Sequence, residues 1–249
     1  MNKKNKEEKY FFQRFEWKYI ITKHMADKLY NELLSFEMEI DPFAMDASGN
    51  FYTVNSIYFD SPTLKCYHDK ISGIKNRFKL RLRFYNDIKE DTSLFLEIKN
   101  KIDAIIIKER LKMNLDVLRS ISFDNIYIDK KNILSDEQNI FKKFSFLERR
   151  YSMRPVVGVK YKRKPLVGKF DKKIRITFDY DLSSYDPRMT NTLINIDECV
   201  IMEVKYNNTM PSWVKMMIIK NNLNREAYSK YTHCLESIPI YKIKLNQYV

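Results

Sequence analysis

Between Lys79 and Lys112 the chain alternates apolar and charged residues through three successive segments. Lys79, Arg81, Arg83 and Tyr85 share one face of a period-two strand, and Leu80, Leu82 and Phe84 share the other. Residues 94–99 then place Glu97 beside Lys99, and residues 107–112 place Lys108, Arg110 and Lys112 together. The device recurs at 13–21, where Arg14, Glu16 and Lys18 oppose Phe15, Trp17 and Tyr19. Segments 51–60, 154–164, 173–181 and 198–206 complete a set of about eight strands, with a turn containing Pro165 and Gly168 between the second and third of these.

Helix signals punctuate the strands. Thr22 is placed to cap a helix to about residue 37 with Met25, Leu29 and Leu33 on one stripe. Ser61-Pro62 opens a second, which stops at Gly73. Residues 114–122 suit a short helix and 124–131 are ambiguous. Ser135 and Gln138 form a capping box ahead of Ile140, Phe141, Phe144 and Leu147. Pro211 starts a helix bearing Trp213, Met217 and Ile218, and a last helix covers about 225–236, while 41–50 reads as a loop. The amphipathic helices need an apolar sheet surface, and the Leu80/Leu82/Phe84 type of face supplies it. The charged faces must then gather on the opposite side. The expected fold is α+β: an eight-stranded antiparallel β-barrel with helices packed on the outside and ionisable residues in its lumen. Residues 1–12 read as a basic tail and 13–249 as one domain.

Charge narrows what such a lumen holds. With 45 Lys and Arg against 32 Asp and Glu, the formal net charge is +13, which calls for an anionic partner. Cations turned inward need an anion of high charge density, because each unpaired buried ion costs several kcal/mol of desolvation, roughly. Phosphate chains fit, since Arg forks and Lys ammoniums bind their oxygens with charge-assisted hydrogen bonds. A nucleic-acid platform fits less well, because the aromatic residues mostly alternate away from the charges, and no nucleic-acid partner is expected. Glu16, Glu97, Asp179 and Glu203 sit on the cationic faces as ion-pair partners or as oxygen ligands for Mg²⁺ or Mn²⁺, with Glu203 the leading candidate. Cys66, Cys199 and Cys234 are dispersed, without metal spacing, and suit a reducing compartment. No secretory leader or apolar span of membrane length is visible, so a cytoplasmic location is expected.

Nine short motifs in order carry a family resemblance: Arg14-x-Glu16-x-Lys18-Tyr19, Ser56-Ile-Tyr-Phe-Asp60, Lys79-Leu-Arg-Leu-Arg-Phe-Tyr85, Glu97-Ile-Lys99, Lys108-Glu-Arg110, Tyr161-Lys-Arg163, Arg175-Ile-Thr-Phe-Asp179, Glu203-Val-Lys205 and Ser229-Lys230-Tyr231. Together they resemble the VTC domain, the polyphosphate polymerase module of the triphosphate tunnel metalloenzymes, across about residues 13–236. The resemblance implies a tunnel that grips ATP and inorganic polyphosphate. It implies phosphate-handling roles for Arg81, Arg83, Lys99, Arg163 and Lys205, with Lys18, Tyr58, Lys70, Lys108, Arg110, Arg175 and Lys230 as further ligands. It also implies that Glu203, together with Glu97 and Glu16, holds Mn²⁺ or Mg²⁺. Many tunnel enzymes open on Glu-x-Glu-x-Lys, whereas Arg14 replaces the first acid here, which tilts the site from water attack toward phosphate holding. The chain carries neither the phosphate-sensing domain nor the membrane segments of the eukaryotic complex, so that regulation and export are not carried over, and a membrane-protein partner stays open.

Three functions follow. The leading one is ATP-dependent extension of polyphosphate. The second is a triphosphatase using the same tunnel with water as acceptor. The third is a noncatalytic polyanion-binding protein. None requires a His nucleophile, and His24, His68 and His233 read as ordinary helix residues.

Overall fold

The computed structural model describes residues 14–45, 49–103, 105–113, 115, 138–188, 192–196 and 198–246. Among these residues ten strands form one antiparallel sheet: β1 (Arg14–Ile21), β2 (Met38–Ile40), β3 (Tyr52–Asp60), β4 (Arg77–Tyr85), β5 (Leu94–Ile102), β6 (Ile105–Met113), β7 (Arg154–Gly168), β8 (Arg175–Tyr185), β9 (Ile194–Asn195) and β10 (Val200–Asn207). The hydrogen-bonded order is β1-β10-β8-β7-β3-β4-β5-β6, with β2 added to β7 and β9 to β8. The eight main strands curl into a tunnel-like half-barrel, and the expected closed barrel is corrected in one respect. No backbone ladder joins β1 to β6; Lys99 Nζ reaches across from β5 to Glu16 on β1 at 3.1 Å instead. Strand β6, last in that order, carries Lys108, Arg110 and Lys112, charges that disfavour strand addition.

Among the described residues the helices are α1 (Lys23–Ser35), α2 (Pro42–Met45), α3 (Lys65–Ile71), α4 (Gln138–Arg150), α5 (Ser212–Lys220), α6 (Lys230–Ser237) and α7 (Pro239–Asn246). Their apolar sides cover the outer face of the sheet, as the alternation predicts. Leu29, Tyr30 and Leu33 of α1 join Ile176, Phe178, Met202 and Val204 in one buried cluster. Phe141 and Phe144 of α4 join Leu80, Leu82, Leu94, Leu96, Ile98 and Leu111 in another. Fully burying a side chain of this kind stabilises by roughly 1.5–3 kcal/mol, and these two clusters fix which face of each strand turns inward.

Several boundaries move for local reasons. Thr22 caps α1 as expected, its Oγ1 accepting from the Met25 amide at 3.2 Å. The helix expected at Ser61-Pro62 begins at Lys65, and Ser61 and Asp60 share its first amides: Ser61 Oγ accepts from Lys65 N at 3.0 Å, Asp60 Oδ1 from Cys66 N at 2.8 Å and Oδ2 from Tyr67 N at 3.0 Å. The 41–50 loop contains α2, begun by an Asp41 side chain that accepts from the Phe43 amide at 3.0 Å. Strand β7 runs straight through Pro165 to pair with β2, so the expected turn comes after Gly168. The helix expected from 225 starts at Lys230, after an extended strap bound to β1 by Glu226 N donating to Lys18 O at 2.9 Å. The helix expected over 114–122, the ambiguous 124–131 and the Ser135 cap lie outside the described residues, as do residues 1–12.

Candidate phosphate-binding tunnel

The concave face of the curl encloses a cavity of about 1300 Å³. Sixteen of its lining side chains are Lys or Arg and five are Asp or Glu. This face exists because the outer residues of the same strands are committed to the core. In β4, for example, Leu80 and Leu82 are 0% exposed beneath helices, which sends Lys79, Arg81 and Arg83 inward.

Two ion-pair clusters organise the wall. Glu97, 0% exposed, receives Arg81 Nε at 2.6 Å on Oε2 and both Lys108 Nζ at 2.7 Å and Arg110 Nη2 at 2.6 Å on Oε1. Burial alone would push its carboxyl up, but Arg81, Arg83 and Lys108 hold it well below the ordinary range. On the other side, Asp179 receives Arg163 Nε at 2.6 Å and Lys230 Nζ at 2.6 Å. Glu203 receives the same Lys230 Nζ at 2.7 Å, Lys205 Nζ at 2.7 Å and Arg163 Nη2 at 3.4 Å. Glu203 is likewise held well below the ordinary range, with Lys205 and Lys230 outweighing its burial. Glu16 joins Lys99 at 3.1 Å and Lys18 at 3.6 Å, and Lys18 donates to Tyr228 O at 2.9 Å. Burial lowers Lys205 to about 8 and Lys108 to about 7, in each case against the pull of the neighbouring glutamate.

Arg83 and Lys79 are different. Arg83 is buried, yet its hydrogen bond runs to the neutral Ser56 Oγ at 3.0 Å. Lys79 donates to Ser229 Oγ at 2.9 Å and lies 4.7 Å from the Tyr231 ring. Among the described residues neither makes an ion pair, and desolvation together with Lys18 and Lys99 pushes the Lys79 ammonium well below its ordinary range. A further group awaits a partner: Thr177 Oγ1 is buried without a hydrogen bond within the protein, directly opposite Glu203 in the β8–β10 register.

Of the residues singled out in the sequence, Glu16, Lys18, Tyr58, Lys70, Arg81, Arg83, Lys99, Lys108, Arg110, Arg163, Arg175, Glu203, Lys205 and Lys230 all line this one cavity. Glu97 lies behind its wall, with both oxygens engaged by cations. Arg175 has its guanidinium on Asp41, and Tyr58 Oη accepts from Arg81 Nη1 at 2.9 Å. Sequence reasoning passed over the orphaned Thr177 hydroxyl, the Ser229 contact to Lys79, and Asp60, whose Oδ2 also accepts from the Tyr231 hydroxyl and so ties α6 to β3. It also missed Phe43, although Asp41 followed by Pro42 is a recognisable helix start. Among the described residues no group of three or more His, Cys, Asp or Glu gathers around a common point. No helix among them is long and apolar enough to cross a membrane.

Comparison with known proteins bears on this geometry. A search of curated proteins finds no match. The fold is similar to a candidate adenylate cyclase from Bacillus halodurans, at 9% identity and a TM-score of 0.51, covering 87% of this chain and 95% of that one. The PH1819 protein from Pyrococcus horikoshii aligns at 14% identity and a TM-score of 0.47, covering 90% and 98%. The VTC domain family matches residues 13–238, so the half-barrel with its cationic lining belongs to a member of the VTC domain family.

Proposed function

We propose that the cavity binds the phosphates of ATP and of inorganic polyphosphate and transfers the γ-phosphoryl group to the end of a growing chain. The observation that carries this reading is the pair of inward cations without a carboxylate partner, Arg83 and Lys79, in a wall already rich in cations. A buried cation without a direct ion pair gains most from an anion that answers it.

Phosphoryl transfer asks little covalent chemistry of a protein; it asks for alignment and neutralisation of charge. Arg81 and Arg163 are pre-oriented by Glu97 and Asp179, so their outward N–H groups meet phosphate oxygens with little loss of rotamer freedom. Arg83, Lys79, Lys99 and Lys205 neutralise the chain along its length. A terminal phosphate oxygen attacks the γ-phosphorus, the bond from that phosphorus to the β,γ-bridging oxygen breaks, and ADP leaves. Glu203, the Thr177 hydroxyl opposite it and Glu16 on the next strand supply oxygen donors that suit Mg²⁺ or Mn²⁺. Such an ion, when bound, adds positive charge where the transferring group is most negative. Glu97 suits that role less, since it lies behind the wall and does not line the cavity, whereas Glu203 and Glu16 do.

Incubation with ATP and Mn²⁺, read on a polyphosphate gel, tests the proposal. Long polymer is expected. Phosphate release without polymer would make water the acceptor and the protein a triphosphatase. A second reading, noncatalytic polyanion holding, draws support from Glu16, Glu97, Asp179 and Glu203, each of which is engaged by cations; tight polyphosphate binding with no turnover of ATP would establish it instead.

A further inference from the structure

One rim of the cavity is aromatic rather than cationic. Phe43 on α2 meets Tyr52 at 4.9 Å and 86°, and Tyr85 at 5.5 Å and 70°. Tyr85 continues to Phe95 at 5.9 Å, and all four rings line the cavity. Near-perpendicular contacts hold the Phe43 ring, and Phe43 remains 60% exposed. An exposed ring of this size, fixed by neighbours and facing a cavity, is not needed by the core.

Its placement is specific. Tyr52 stands directly opposite Arg163 in the β3–β7 register, and Phe95 directly opposite Arg83 in the β4–β5 register. The aromatic rim is therefore one cross-strand pair from two arginines of the phosphate wall. Phe43 is also tethered to that wall: Arg175 binds Asp41, and Asp41 Oδ1 accepts from the Phe43 amide at 3.0 Å.

We infer that this rim is a nucleobase subsite, in which Phe43 offers a stacking face to the base of a nucleoside triphosphate whose phosphates run inward past Arg83 and Arg163. The inference rests on the reading of the wall as phosphate-binding. Flat aromatic ligands gain from such a face whatever their hydrogen-bonding edge, so the subsite favours nucleotides over bare phosphate chains without strong choice among bases.

Calorimetric titration with two probes, ATP and inorganic tripolyphosphate, tests it on the full chain. Phe43→Leu keeps apolar bulk and loses the π face; Phe43→Trp keeps the face. The expected result is about tenfold weaker ATP binding for Phe43→Leu, with tripolyphosphate moved much less and Phe43→Trp close to wild type. Equal weakening of both probes, or no change in ATP affinity, overturns the base subsite and leaves the phosphate reading standing. If the wild-type protein binds neither probe, the phosphate reading itself falls and this inference falls with it.

Discussion

The two ion-pair clusters in the tunnel wall are built on different ratios. On β4, β5 and β6 a lone carboxylate, Glu97, holds Arg81, Lys108 and Arg110. On β7, β8 and β10, with α6, two carboxylates share Arg163, Lys230 and Lys205. The first depends wholly on one side chain; the second has a spare. In both, the carboxylates act as framework: they lower the cost of burying cations and point them inward. Arg83 and Lys79 make no ion pair with either framework, so they have most to gain from an arriving anion. The comparison separates residues that shape the wall from residues that wait for the ligand.

The largest effect that tests this contrast is on turnover. Arg83→Ala should lower phosphate transfer by roughly 100-fold or more while leaving the melting temperature almost unchanged, because the side chain holds no ion pair in the fold. Arg81→Ala should lose activity and stability together, since it leaves Oε2 of the buried Glu97 without its cation. Equal melting temperatures for the two variants would erase the distinction.

Next in size is Glu97→Ala, which strands three cations. A loss of about 3 kcal/mol in a denaturant titration is expected, the lower end of the range for a broken buried pair, because Lys108 and Arg110 are each more than a third exposed and water can take them. Glu203→Ala should cost less, as Asp179 still holds Arg163 and Lys230. A larger loss at Glu203 would reverse the assignment of the spare.

The smallest effect is in pH. A lysine held below its ordinary value is charged below that pKa and neutral above it. Polyphosphate affinity should therefore weaken as pH rises through about 8, where Lys205 loses its proton. Lys205 is the firmer case, being 16% exposed, whereas Lys108, lowered to about 7, reaches further into water. Affinity that is flat between pH 6 and pH 9, or that rises, would remove these lysines from the binding surface.

Much of this was legible in the residues. Period-two alternation in β1, β4, β5, β6, β8 and β10 is strong because one face of each strand lies under a helix, and the same burial turned Lys18, Arg81, Lys99 and Lys205 inward. Closure was not legible. Whether β1 meets β6 depends on the accumulated curl of eight strands and on repulsion across the lumen, neither of which is local. The Ser61-Pro62 start lies a few residues early: Ser61 does accept the first helical amide, from Lys65, but Asp60 at the end of β3 takes the next two, a role that only the tertiary turn reveals. Phe43 escaped because a four-residue helix has no periodicity, and its role depends on Asp41 meeting an arginine 134 positions away in sequence.

The seam between β1 and β6 has a mechanical consequence. Around most of its circumference the wall is as stiff as a hydrogen-bonded sheet, since seven backbone ladders resist any change in spacing. At the seam the Lys99–Glu16 ion pair replaces a ladder. A shell that is rigid everywhere but along one line concentrates its compliance there, so changes in bore fall on that line and leave the framed arginines nearly undisturbed. Added salt, which weakens a side-chain ion pair far more than a backbone ladder, should soften that line first.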